Sequence, residues 1–123
     1  MDVQLGRIGI WQRHGSLDED FAVKAERLGY GAIWIGGSPG GGLEQVERLL
    51  DATGTIAVAT GIVNIWRDDA ATIAASYRRI ADRHPNRFLL GVGVGHPEQA
   101  VPYERPYQAL VAYLDELDRG GVP

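Results

Sequence analysis

Two histidines sit where glycine-rich turns follow apolar runs. His14 lies in Trp11-Gln12-Arg13-His14-Gly15, and His96 in Gly91-Val92-Gly93-Val94-Gly95-His96-Pro97. Imidazole is the side chain type that trades protons near neutral pH, so His96 and His14 are the candidate acid–base groups. His84 precedes Pro85 at the end of a helical pattern and reads as structural. The chain has no cysteine, which excludes a disulfide scaffold, a thiolate zinc site and a cysteine nucleophile. No His and carboxylate positions share metal-ligand spacing on a helix, so no metal is expected. Neither Ser38 nor Ser76 stands in a G-x-S-x-G elbow.

The glycine runs fail the phosphate-binding patterns. Counting from Gly91 and Gly93, the third glycine of G-x-G-x-x-G falls on His96; counting from Gly93 and Gly95 it falls on Glu98. Pro97 would also spoil the helix start that holds a pyrophosphate. Bare backbone at Gly93 and Gly95 can instead lie flat against a planar ring, with His96 beside it. The run Gly36 to Gly42 lacks the Gly-Lys-Ser/Thr of a P-loop. It reads either as a flexible surface loop or as a mobile rim over a ligand. Asn64 is a polar residue in the apolar stretch Gly61-Ile62-Val63-Asn64-Ile65-Trp66, which ends in a Trp66-Arg67 pair. It either caps a local turn or offers its amide to a ligand.

These residues must be positioned by the elements around them. Four short apolar runs, Leu5 to Trp11, Gly31 to Ile35, Thr55 to Thr60 and Phe88 to Val94, have strand length and lack polar alternation. That is the pattern of strands buried on both faces of a parallel sheet. Between them lie helical stripes. Phe21, Ala22, Ala25 and Leu28 share a face, with Ser16 and Glu19 as an expected capping box and Gly29 as the stop. Leu43, Val46, Leu49 and Leu50 form the second stripe. Ala70, Ile73, Ala74, Tyr77, Ile80 and Ala81 form the third, capped by Asp68 or Asp69 and ended by Pro85. Tyr107, Leu110, Val111, Leu114 and Leu117 form the fourth, with Pro106 in its first turn. The order is β-α-β-α-β-α-β-α in a single domain spanning residues 1–123. Two architectures fit: a small doubly wound parallel sheet, or half of a (β/α)8 barrel, which typically needs about 250 residues. Both place ligands at the C-terminal strand ends. The chemistry is therefore expected in Gln12 to Gly15, Gly36 to Gly42, Gly61 to Arg67 and Gly93 to Pro97.

Composition narrows the partners. Twelve basic against sixteen acidic residues give a net charge of −4, without the basic footprint of a nucleic-acid binder. No apolar run approaches the roughly 20 residues of a membrane span, and the N-terminus lacks the regions of a signal peptide. The expected setting is the cytoplasm and the expected partner a small molecule.

Two longer stretches carry a resemblance. Ile56 to Arg67 followed by Asp68-Asp69-Ala70-Ala71-Thr72, and later Arg83-His84-Pro85-Asn86-Arg87-Phe88-Leu89-Leu90-Gly91-Val92-Gly93, resemble the luciferase-like monooxygenase superfamily. They are most similar to its deazaflavin-dependent oxidoreductases, which use coenzyme F420. Leu28 to Ile35 is similar to that family's second strand. The resemblance implies the N-terminal half, four βα units, of a TIM-type (β/α)8 barrel. It implies hydride transfer between F420, or FMN, and an organic substrate. It implies a non-proline cis peptide at Gly61-Ile62 against which the ring lies, with Asn64 beside it. Gly93, Val94, Gly95 and His96 match the fourth-strand segment at the ring, so the implied cofactor-binding set is Gly61, Ile62, Asn64, Gly93, Val94 and Gly95. The sequence departs from relatives in having His96 where several carry a carboxylate, and Gly37-Ser38 where Asp-His is frequent. The same half-barrel reading leaves two other possibilities. The chain is a non-catalytic fragment that needs a partner half, supplied by a homodimer or by a missing C-terminal half. Otherwise it is a small nucleotide-binding α/β domain.

Overall fold

The computed structural model describes residues 3–96 and 103–123. Pro97, the last residue of the fourth expected strand end, lies outside them. In chain order the elements are β1 (Gly9–Arg13), α1 (Glu19–Arg27), β2 (Ala32–Gly36), α2 (Glu44–Asp51), β3 (Ala57–Gly61), β4 (Val63–Asn64), α3 (Ala70–Arg83), β5 (Phe88–Leu89), β6 (Val92–Gly93) and α4 (Pro106–Arg119).

Local chemistry explains most of the boundaries. The α1 cap is Asp18, whose carboxylate accepts from the Phe21 N–H at 2.8 Å. The expected Ser16–Glu19 capping box does not form, because Ser16 closes a short 3-10 turn at His14–Ser16 two residues upstream. Asp69 caps α3 through the Thr72 N–H at 2.7 Å, and Pro106 stands in the first turn of α4. The first strand starts later than its apolar run suggests. Gly6, at φ 70°, crosses so close to Gly31 that a Cβ on it would lie 2.7 Å from the Gly31 Cα, so this stretch is a backbone crossing and not a ladder.

The expected single fourth strand is two. Between β5 and β6 the Thr60 hydroxyl donates to the Gly91 carbonyl and accepts from the Gly91 N–H, both at 2.8 Å. A side chain thereby takes over hydrogen bonds that a ladder would make. Beyond it the chain leaves the main sheet, and β4 pairs with β6 in a separate parallel ladder.

The main sheet is parallel in the order β1-β2-β3-β5. Strand order follows chain order with no reversal, so every crossover steps the same way and all the helices fall on one face. A doubly wound sheet needs a reversal of order and helices on both faces. The fold is therefore the half-barrel arrangement of βα units and not the doubly wound alternative.

Register separates the two faces of the sheet. Ile10, Ile33, Val58 and Phe88 stand side by side across all four strands. They point at the helices and join one apolar cluster with Ala22, Val46, Leu49, Ile73, Ile80 and Leu117. Burying a Leu or Ile of this kind is worth about 1.5–3 kcal/mol each. The next row, Trp11, Trp34, Ala59 and Leu89, points to the concave side. There the Trp11 ring covers Gly36, whose added Cβ would fall 2.0 Å from it, and Trp34 lies over Gly9. Expected burial on both faces does not hold for β1, where Trp11 is 56 % exposed.

Candidate functional site

Two residues beyond the tryptophan row, on the same side of the sheet, the strands end in a further row: Arg13, Gly36 and Gly61 in register. Above this row opens a cavity of about 750 Å³, within the usual range for small-molecule sites. All four expected strand ends contribute to it. β1 and the turn after it supply Arg13, His14, Gly15 and Ser16; the segment after β2 supplies Gly37 and Ser38; β3 and β4 supply Gly61, Ile62 and Asn64, followed by Arg67; the segment after β6 supplies Gly95 and His96.

The centre of this wall is the Gly61–Ile62 peptide, which is cis. It joins the strand that stays in the main sheet to the strand that leaves it. Among the described residues nothing requires Gly61 to be bare. A Cβ built there meets nothing closer than 3.7 Å, at the Trp34 ring, and lies 3.9 Å from the Trp11 indole nitrogen, which are ordinary contacts. What its bareness leaves open is the cavity.

Gly37, Gly93 and Gly95 are bare because the chain itself fills the space, whereas Gly15, on the rim, meets nothing within 4 Å. A Cβ on Gly93 would fall 2.7 Å from the Ile62 Cδ1, and one on Gly95 would fall 2.7 Å from the Asn64 Nδ2. Gly95 also has φ 62°, which side-chain-bearing residues rarely adopt. On Gly37 a Cβ would lie 2.7 Å from the His14 ring, so the glycine makes room for the imidazole.

Asn64 holds the wall together. Its N–H donates to the Ser38 hydroxyl at 2.9 Å, and its side-chain carbonyl accepts from the Trp66 N–H at 2.8 Å. The turn-capping role weighed from sequence is thus formed, and the amide NH2 is what remains for a ligand. Trp66 in turn donates its indole N–H to the Val94 carbonyl at 2.8 Å, tying the third strand end to the fourth. The Gly36 to Gly42 run is anchored as well. Besides the Ser38 contact, the Gly41 carbonyl accepts from the Ser76 hydroxyl at 2.7 Å. Tyr113 of α4 donates to the Asp68 carbonyl at 2.7 Å. Burial, with Asp68, Asp69 and Glu116 nearby, pushes its phenol up, so it stays a neutral donor.

Two of the expected cofactor-binding residues do not line the cavity. Gly93 lies under Ile62, and Val94 packs against the core with its carbonyl on Trp66. Both shape the wall from behind. Gly61, Ile62, Asn64, Gly95, His14 and His96 all line it. His84 is elsewhere, with a ring nitrogen 2.7 Å from Asp51. Sequence reasoning passed over Arg13 and Arg67 as site residues. The signal was their position, one at the last residue of a strand and one at the end of the apolar stretch after β3. Among the described residues neither makes an ion pair, and the lining holds no carboxylate.

Residues 15–119 match the family model of the luciferase-like monooxygenases. The chain belongs to the luciferase-like monooxygenase family. Comparison with curated proteins returned no match. Luciferase-like monooxygenases are oxidoreductases that typically use flavin-type cofactors, so the fit of this wall to a planar ring can be tested on its own geometry. It fits: a bare backbone surface at Gly61, a polar amide at Asn64 and two imidazoles share one cavity. Among the described residues no helix is long and apolar enough to cross a membrane.

Proposed function

We propose that this member of the luciferase-like monooxygenase family holds the ring of coenzyme F420, or alternatively FMN, at the C-terminal strand ends and acts in an oxidoreductase reaction on an organic substrate. The observation that carries the reading is Gly61, whose missing side chain is explained by no contact among the described residues and opens the cavity beside the Gly61–Ile62 peptide. The ring, when bound, supplies hydride transfer to or from the substrate.

The chain's own residues supply position and charge. Gly61 and Ile62 form the surface on which a planar group rests. Asn64 presents an amide at its edge, and Gly95 lets that amide and the adjoining backbone approach closely. His96 is the proposed proton donor or acceptor, and His14 a second one across the cavity. Arg13 and Arg67 put positive charge at the rim, where a ring that gains negative charge or an anionic substrate group is stabilised. The cavity is open on the side that four further βα units would wall in a complete barrel. That opening favours the reading in which the chain binds the ring and needs a partner half for turnover.

Titration of F420 and of FMN into the chain, followed by ring absorbance and by quenching of Trp11 and Trp34 emission, tests the proposal. Saturable binding that Gly61→Val weakens by tenfold or more is the expected result. A folded chain that binds neither ring overturns it.

A further inference from the structure

The cavity at the strand ends is cationic in an acidic chain. The chain carries a net charge of −4, yet the lining holds Arg13, Arg67, His14 and His96 and no carboxylate. On α2 and α3 the arginines are engaged. Arg48 pairs with Glu19, Arg79 with Glu47, and Arg83 with Glu47 and Asp51, while Arg78 donates to the Gly120 carbonyl. Neither the Arg13 nor the Arg67 guanidinium has a hydrogen bond or an ion pair among the described residues. The two carboxylates next to Arg67 in sequence lie elsewhere. Asp69 caps α3 through the Thr72 N–H, and the Asp68 carboxylate lies against Gly41, outside the lining.

The uncharged groups between the two arginines are left as donors. Asn64 is only 4 % exposed, and its side-chain carbonyl accepts from the Trp66 N–H, which fixes the orientation of the amide. Its NH2 meets no acceptor among the described residues. No fully buried side-chain nitrogen or oxygen among them lacks a partner, so this NH2 opens on the cavity that Asn64 lines. The Ser38 hydroxyl accepts from the Asn64 N–H, and its own proton finds no acceptor among the described residues. The backbone brings these groups into one arc. The Arg67 N–H donates to the Asn64 carbonyl at 3.2 Å, Ser38 holds the Asn64 N–H, and the His14 ring lies over Gly37 beside Ser38. Arg13 precedes His14 and stands in register with Gly36. A wall of positive charge and free donors, without a carboxylate, suits a group that only accepts.

We propose that the cavity contains an oxoanion subsite. Arg13 and Arg67, with the Ser38 hydroxyl and the Asn64 amide between them, hold a carboxylate or phosphate group. Guanidinium forks bind such groups through paired, charge-assisted N–H···O bonds. The anion belongs either to the organic substrate, which is then an acid or a phosphate ester, or to the tail of the cofactor. The subsite rests on the charge of the lining and not on ring binding. A chain that binds phosphate and no ring therefore keeps it and loses the proposed function.

Inorganic phosphate titrated into the full chain at low ionic strength, followed by NMR of the arginine Nε–H and asparagine NH2 signals, tests it. Saturation at about 1 mM is expected, with the Arg13, Arg67 and Asn64 signals moving together. Arg13→Gln and Arg67→Gln should each weaken binding about tenfold. Neither guanidinium has an internal partner, so both variants keep the fold. Arg7→Gln removes the same charge from an exposed residue before β1 and should leave the affinity unaltered. Shifts that do not saturate, that sodium chloride reproduces, or that Arg7→Gln weakens equally overturn the subsite. FMN and riboflavin, the same ring with and without a phosphate, then assign the anion. Displacement of phosphate by FMN and not by riboflavin gives the subsite to the cofactor. Phosphate bound beside either ring gives it to the substrate.

Discussion

The two ends of the strand arc treat charge in opposite ways. At the N-terminal ends, Glu26 accepts from the N–H groups of Gly54, Thr55 and Ile56 at 3.0, 2.7 and 3.0 Å and from the Thr55 hydroxyl at 3.2 Å. Arg87 donates to the Ile56 carbonyl at 3.0 Å and to the Thr53 hydroxyl at 2.7 Å. Each charge is held by backbone groups and threonine hydroxyls of the segment that leads into β3. At the C-terminal ends, Arg13 and Arg67 have no ion-pair partner among the described residues, and His14 and His96 face the cavity. One end is satisfied from within and stabilises the fold. The other is left to be satisfied by something that binds.

The strongest way to break this contrast is at Arg87. Replacing it by Ala strands buried carbonyls and should cost about 3 kcal/mol in urea denaturation. Ring affinity per folded molecule should be unchanged; a parallel loss of affinity would show that the two ends are not separate. Glu26→Ala should cost about 2 kcal/mol by the same measurement.

Acid sharpens the point. Burial opposes ionisation of Glu26, but its N–H and hydroxyl donors outweigh that and hold it at about 2, below its usual 4.5. A depressed carboxylate contributes its stability above the unfolded value and loses it as pH falls through the folded one. Stability should therefore drop between pH about 4.5 and about 2, with a shallower slope in Glu26→Gln.

At the other end, Gly61→Ala should change stability by no more than about 1 kcal/mol, since the added methyl meets only ordinary contacts. Ring affinity should fall about tenfold, or about 1.4 kcal/mol. An unaltered affinity would detach Gly61 from the site. The smallest effect is expected for Arg13→Gln with Arg67→Gln, which should move stability by less than about 0.5 kcal/mol because no internal partner is lost.

The legible parts of the fold were those set by short-range pattern. The four helices appear where apolar stripes recur at helical spacing, and Asp69, Gly29 and Pro106 mark their ends as their local chemistry requires. The Ser16–Glu19 box misled because Asp18 competes for the same helix start, and only the backbone path decides which residue is extended there. The split of the fourth strand was illegible, because it depends on a hydroxyl 31 residues away, at Thr60, reaching Gly91. At the site, the four strand ends were foreseen, and Gly61, Ile62, Asn64, Gly95, His14 and His96 do line one cavity. Gly93 and Val94 look identical to them in sequence. Gly93 falls behind the wall because the Ile62 side chain covers it, and Val94 because its side chain packs on the core.

Sequence alone determined the alternation of strand and helix and the residues that stand at strand ends, since periodicity and turn chemistry are properties of neighbours along the chain. Tertiary structure decided between two sheets built from the same units, because strand order is a property of which edges meet. It also decided what each glycine is for. Gly93 and Gly95 are filled by Ile62 and Asn64 from another strand end, while Gly61 faces open space, and that difference exists only once the strands lie side by side.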